Sequence, residues 1–283
     1  MIPVADDTTM DVSTRLGALR VRVCGSGPPA VLWHSLFVDS TTWNRVCPLL
    51  GEHRRLILID GPSHGSSAPA RRRFTLQDCA DAAGDVLDHL GVHEPVDWVG
   101  NAWGGHVGIV FAAGKPERCR SLVTIGTPVR ALTPAERRRI VPLVALYRIL
   151  GPVRLLVKGV EAALLGAKPP PKDAQVISSA LRGVDRRGMH AAMRSVMLQR
   201  PDLTAVLAPL ATPTLIVAAE QDALWQPTEA RSAAGQFPHR AFGTVPGAGH
   251  VAPLLQHAPA LAGLVSDFWQ DPGAFSTRQR RLT

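Results

Sequence analysis

Trp98-Val99-Gly100-Asn101-Ala102-Trp103-Gly104-Gly105 is the stretch from which the rest of the fold can be read. It joins a short apolar run at 96–99 to a helical pattern at 104–113, with no loop sequence between them. A chain passing so abruptly from strand to helix must turn sharply. Glycines on either side of Ala102 leave room for the strained backbone that such a turn demands. The same alternation continues outward in both directions. Runs at 19–23, 30–33, 56–59, 122–125 and 214–218 read as further strands, and 41–50 and 76–90 as further helices. Near-continuous apolar runs such as Leu56-Ile57-Leu58-Ile59 suit strands buried on both faces. The fold class expected is therefore α/β, a mostly parallel central sheet flanked by helices.

The rhythm breaks after residue 129. From there to 207 the sequence offers helical stretches but no strand, and strands resume at Thr214. This organisation reads as a sheet core at 1–130 and 208–283 interrupted by a helical cap at 131–207. The tail from Asp271 reads as frayed surface.

Composition narrows the function classes. The 283 residues are 46% hydrophobic and 19% charged, which excludes a disordered or fibrous chain. The net charge of +8 comes from short arginine clusters such as Arg71 to Arg73 and Arg137 to Arg139, without a basic-aromatic motif or recognition helix. No nucleic-acid partner is expected on that ground. Cys24, Cys47, Cys79 and Cys119 form no CxxC pair, and no His/Asp/Glu cluster has ligand spacing, so no metal and no cofactor are expected. No apolar run reaches the length of a membrane span, and no leader pattern opens the chain. The expected location is cytoplasmic, with reduced thiols. A dimer is possible, but no residue pattern fixes the oligomeric state.

The glycine spacing around Ala102 is that of the G-x-S-x-G nucleophile elbow, and the chain resembles the α/β-hydrolase family there and elsewhere. Trp33-His34-Ser35-Leu36 resembles the family's strand followed by an HG-x loop, with Ser35 in place of the usual glycine. Asp60-Gly61-Pro62-Ser63-His64-Gly65 resembles its D-x-x-G-x-G turn, with Ser63 replacing the first glycine. The run 213–222 resembles the strand that ends in the triad acid, and Gly247-Ala248-Gly249-His250 the loop carrying the catalytic histidine. The resemblance implies Asp222 as acid, His250 as base, and the backbone N–H groups of Leu36 and Trp103 as the oxyanion hole. Phe37 and Trp225 are the expected pocket-lining residues. Elbow, acid and histidine follow in the family's own order, and the match spans both halves of the sheet.

The departure lies at Ala102, which occupies the nucleophile position with only a methyl group. No acyl- or alkyl-enzyme can form through it, and loss of a triad nucleophile costs roughly 10⁶-fold in comparable enzymes. Three readings stand. A serine replaced by alanine, as in a substrate-trapping variant, makes this a carboxylic ester or lactone hydrolase lineage that is hydrolytically silent as written. A native alanine instead makes it a cofactor-free lyase, isomerase, cyclase or oxygenase using His250 as general base, or a non-catalytic ligand-binding protein. A parent aspartate would resemble dehalogenases and epoxide hydrolases. The last is disfavoured, since the chain has one tyrosine, Tyr147, where epoxide hydrolases use two, and Leu36 stands at the dehalogenase asparagine.

Other polar residues near these motifs have plainer roles. His34 reads as a support for the oxyanion loop and Ser35 as a loop residue rather than a substitute nucleophile. Asp60 reads as a turn anchor, and His64 and His106 as packing residues. Ile140, Val141, Leu143, Val144, Leu146 and Tyr147 give an apolar face at helical spacing, and Leu155, Leu156, Val160, Leu164 and Leu165 continue it. They point to a small, apolar-to-amphipathic substrate or ligand.

Overall fold

The computed structural model describes residues 7–235 and 239–275. Eight strands, β1 (Thr8–Thr14), β2 (Gly17–Cys24), β3 (Pro29–Trp33), β4 (Arg55–Ile59), β5 (Val96–Asn101), β6 (Cys119–Ile125), β7 (Thr214–Ala219) and β8 (Arg240–Val245), form one sheet in the order β1-β2-β4-β3-β5-β6-β7-β8. The β1–β2 and β2–β4 pairs are antiparallel, and every other pair is parallel. The expected architecture is thus the observed one.

Alternate residues of the central strands feed two separate apolar layers, as the two-residue period of a strand requires. In β3, Val31 and Trp33 join one core and Ala30 and Leu32 the other. The first layer is closed by α2 (Leu76–His89) and α3 (Trp103–Gly114), and the second by α1 (Cys47–Leu50) and α11 (Ala258–Gln270). Helix α2 begins at a capping box in which Thr75 and Asp78 exchange side-chain-to-backbone bonds, satisfying two N–H groups that an open helix end leaves free.

Two elements differ from the sequence reading. The stretch 41–50 is a 3₁₀ turn, Ser40–Trp43, followed by the separate short α1. Pro48 has no N–H to donate, so a helix can begin around it but cannot run through it. The edge strands β1 and β8 had no clear signature. Of the seven residues of β1, only Val12 is buried, so its apolar pattern is almost blank. The tail beyond residue 275 lies outside the described residues.

Between β6 and β7 the chain passes only through helices: α4 (Pro134–Leu150), α5 (Arg154–Leu165), α6 (Pro171–Arg182), α7 (Arg186–Ala192), a π turn at Met193–Leu198, and α8 (Thr204–Leu207). Two more short helices, α9 (Pro227–Gly235) and α10 (Ala252–Leu255), follow β7 and β8. The inserted helices pack over the carboxyl ends of the strands. Leu164, Leu165 and Ile177 share an apolar cluster with Val38, Val251 and Leu255. Polar ties reinforce this contact. The Val251 N–H donates to the Leu164 carbonyl at 3.1 Å, and Arg45 Nη2 meets the buried Asp173 carboxylate on α6 at 2.7 Å.

Candidate active site

Strand β5 is buried along its whole length and ends at Asn101. The next residue, Ala102, has φ +47° and ψ −100°, a backbone region that a residue with a Cβ enters at a cost of about 1–3 kcal/mol. The surroundings impose that conformation. The Ala102 N–H donates to the Ile125 carbonyl at 2.8 Å, and the Ala102 carbonyl accepts from the His106 N–H at 3.1 Å. A Cβ on Gly100 would lie 2.2 Å from the Gly104 backbone, and one on Gly104 would lie 2.0 Å from the Trp33 carbonyl oxygen. Only glycine fits at either place, so the two glycines of the motif are set by the close approach of α3 to β5 and β3.

Asp222 and His250 come together here, although 28 residues separate them in sequence. His250 Nδ1 lies 3.5 Å from Asp222 Oδ2, and both residues are buried. The other carboxylate oxygen of Asp222 accepts the backbone N–H groups of Leu224 and Trp225 at 2.9 and 3.3 Å, which fixes the plane of the group. Neither Nδ1 of His250 nor Oδ2 of Asp222 has another partner among the described residues. The histidine loop is fastened from below. Asn101 Nδ2 donates to the Ile125 carbonyl at 3.0 Å and to the His250 carbonyl at 2.6 Å, joining the elbow, β6 and the histidine. The sequence reading passed over Asn101; its place inside the elbow was the available signal.

The loop after β3 approaches the elbow from the opposite side. The His34 carbonyl accepts the Gly104 N–H at 3.1 Å. The His34 ring is fully buried: its Nε2 accepts the Gly61 N–H at 2.9 Å, so its Nδ1 carries the proton donated to the Ser35 carbonyl at 2.7 Å. Burial pushes the His34 pKa down, in keeping with that neutral tautomer. Among the described residues, the N–H groups of Leu36 and Trp103 donate to no protein acceptor. Phe37 adopts φ +73° and packs against both the central core and the cluster formed with α5. Trp225 is buried in the core cluster that includes Leu36, Val144, Tyr147 and Val157. The Trp103 ring faces away from the site, packed edge-on against Trp33 and His34 at centroid distances of 5.5 and 5.4 Å.

The remaining polar residues hold turns together. Asp60 Oδ1 accepts the Ser40 N–H at 2.7 Å. His64 Nδ1 reaches the Pro62 carbonyl at 2.9 Å and His106 Nε2 the Pro128 carbonyl at 2.8 Å. Burial holds the His64 pKa well below the usual imidazole range and that of His106 at about 3. The four cysteines are buried free thiols. Among the described residues no three His, Cys, Asp or Glu side chains converge as a metal-binding group. None of the described helices is long and apolar enough to cross a membrane.

A strained strand-to-helix elbow, a buried His–Asp pair on later loops and free N–H groups beside the elbow describe a site of the α/β-hydrolase kind. The model of the Alpha/beta hydrolase family matches residues 30–264, and the chain belongs to that family. It is 26% identical over 254 residues to the pimeloyl-[acyl-carrier protein] methyl ester esterase of Yersinia enterocolitica, a match covering 88% of this chain and 96% of that protein. Among solved structures, a thermophilic esterase from Thermogutta terrifontis superimposes with a TM-score of 0.83 at 24% identity, covering 94% of this chain and 99% of the other. The enol-lactonase from Burkholderia xenovorans LB400 does so with a TM-score of 0.84 at 20% identity, covering 93% and 100%.

Proposed function

We propose that this chain carries the frame of a carboxylic ester or lactone hydrolase whose nucleophile position is filled by Ala102, so that it hydrolyses little or nothing as it stands. The observation carrying this reading is the strained backbone at Ala102, maintained between two obligatory glycines although no side chain there can react. Strain of this kind persists where the surroundings over-determine it, and it serves to present a nucleophile. In this reading His250 is the base, Asp222 holds its Nδ1–H, and the Leu36 and Trp103 N–H groups receive the oxyanion. Helices 131–207 act as the cap, and their inward-packed apolar side chains, such as Val144, Tyr147 and Val157, favour an apolar-to-amphipathic acyl substrate. The similarity to a methyl ester esterase over most of both chains supports an acyl bond as the target.

With a hydroxyl restored, the steps balance as ordinary acyl transfer. The serine oxygen bonds to the carbonyl carbon while its proton passes to His250. The tetrahedral oxyanion collapses, and the leaving alcohol or lactone oxygen takes that proton. Water, giving its proton to His250, then bonds to the acyl carbon. Collapse of this second intermediate breaks the serine–acyl bond, releasing the acid as the serine oxygen takes the proton back from His250. The test is Ala102→Ser, assayed on short and medium acyl nitrophenyl esters and on lactones. A gain of about 10³- to 10⁶-fold, abolished by a fluorophosphonate, is the expected result. A folded serine variant with no gain would overturn the reading.

A second reading is favoured by the intact burial of the His250–Asp222 pair beneath a methyl group. There His250 acts alone as a general base on an acidic substrate proton, worth about 10²- to 10⁴-fold. In that case His250→Ala abolishes turnover of the native substrate, and Ala102→Ser leaves it nearly unchanged. A ligand-binding protein without turnover would instead keep its ligand after His250→Ala.

A further inference from the structure

Large apolar side chains left in water are concentrated at one place. Of the seven strongly exposed ones among the described residues, five are Val141, Leu143, Ile149, Leu150 and Leu155, all on α4 and the start of α5. Ile149 and Leu155 are 70% and 77% exposed. Ile140, Val144 and Tyr147 form the stripe of α4 that packs inward. Ile149 lies on the opposite side of the helix, while Leu143 and Leu150 border the stripe and Val141 its other edge. All four stay in water, although the sequence pattern placed Val141 and Leu143 on the packed face. The short connection through Gly151 leads directly into α5, of which Leu155 is the second residue.

Cations border this apolar corner. Arg148 and Arg154 flank the turn, and Arg186 reaches it from α7 by donating to the Ile149 carbonyl at 3.0 Å, beside Asp185, whose carboxylate caps that helix. Arg138 and Arg139 lie about three turns earlier on α4. None of the five has a carboxylate within ion-pair distance among the described residues. The acids of the two helices are already engaged, Glu136 by Arg130 at 2.8 Å and Glu161 by Lys158 at 2.6 Å. An apolar tip surrounded by Lys and Arg is the signature of an element that lies in a lipid interface, with side chains in the acyl boundary and cations among the headgroups. A second copy of this chain fits less well, because face-to-face pairing would set two groups of arginines against each other.

We propose that the α4–α5 corner seats this protein on an anionic lipid surface. Leu155 lies in the first turn of α5, the helix whose last turn bonds to the loop of His250 through the Leu164 carbonyl and the Val251 N–H. The proposal rests on the surface alone and holds whichever reaction the elbow serves.

The test is co-sedimentation of the full chain with phosphatidylcholine vesicles, with and without phosphatidylglycerol. Binding is expected only with phosphatidylglycerol at low salt, weakening steeply as salt is added. Arg148→Gln with Arg154→Gln should weaken it about fivefold per charge removed. Ile149→Glu with Leu155→Glu should weaken it about tenfold or more. These side chains are exposed, so thermal unfolding should barely move, and the arginine pair keeps the test decisive if the glutamates disturb the helix ends. Protein left in the supernatant with anionic vesicles at low salt overturns the proposal. So does equal binding to neutral vesicles. Sedimentation velocity supplies the third adverse outcome: a dimer abolished by Leu155→Glu, with no vesicle binding, would assign the corner to a second copy.

Discussion

The two ends of β5 are equally buried and are built on opposite plans. At the amino end, Asp97 is wholly enclosed, and its carboxylate accepts Arg54 Nε at 2.8 Å, Arg120 Nε at 2.9 Å, Arg120 Nη2, and Ser121 Oγ at 2.6 Å. At the carboxyl end, Asn101 Oδ1 is buried without a partner among the described residues, His250 Nδ1 and Asp222 Oδ2 face only each other at 3.5 Å, and Ala102 is strained. Asp97, Val99 and Asn101 share one face of the strand, so the contrast is not one of orientation. A buried carboxylate is tolerated where its charge is fully paired, as at Asp97. Unpaired buried nitrogens occur elsewhere among the described residues too, as at Trp43 Nε1 and Trp269 Nε1. The contrast therefore lies between a fully paired carboxylate at one end and a half-paired one beside a strained backbone at the other. In the function proposed above, the first end serves stability and the second chemistry.

The comparison breaks most visibly if the carboxyl end can be woken and then silenced. In the Ala102→Ser background, Asp222→Asn should lower kcat by about 10⁴-fold, because the amide no longer holds the Nδ1–H tautomer of His250. Its melting temperature should change little. Steady-state kinetics on a nitrophenyl ester beside a thermal melt separates the two effects, and a loss of kcat below tenfold would contradict the assignment of Asp222.

The amino end should behave the other way. Asp97→Ala leaves two guanidinium groups without their shared anion and should cost about 3–5 kcal/mol, seen as a fall of roughly 5–10 °C in melting temperature. The kcat of the serine variant should be unchanged below that transition. If Asp97→Ala lowered kcat at constant stability, the division between the two ends would be wrong.

Which parts were legible in the sequence follows the same division. The central strands announced themselves because both faces are buried, leaving runs such as Leu56 to Ile59 apolar throughout. The elbow was legible because two close backbone approaches admit only glycine, and that requirement is written at positions 100 and 104. The edge strand β1 was not, since an exposed strand needs only the occasional apolar residue and Val12 is its only one fully buried. Asn101 was marked only by its place inside the elbow, and the Asp97 clamp not at all. Each gets its meaning from partners distant in sequence: Asn101 binds a carbonyl 149 residues away, and Asp97 binds Arg54 and Arg120 from two other segments. Pairwise spacing within the sequence carries no trace of such contacts. The Arg45–Asp173 tie, 128 residues apart, was hidden for the same reason.

A smaller effect separates the ends through pH. His34 and His64 lie in the turns after β3 and β4 and His106 in the first turn of α3, and burial lowers the pKa of each in the folded protein. In the unfolded chain they titrate near 6.5. The sign follows directly: below that pH the unfolded chain binds protons that the folded one refuses, so stability is full above about 6.5 and is lost as pH falls. The loss continues down to the folded values, about 3 for His106. The contributions of the three groups add, and each supplies at most about 1.4 kcal/mol per pH unit. Asp60 works against it at the acid end, because burial raises its pKa and the folded protein then holds the extra proton. Replacing His106 by Gln keeps a donor for the Pro128 carbonyl but removes one titrating group. The plot of unfolding free energy against pH between 6.5 and 4 should therefore become shallower by about 1.4 kcal/mol per unit, at little cost to stability at neutral pH. An unaltered slope would mean that the acid sensitivity of the fold does not come from the histidines at the site end of the sheet.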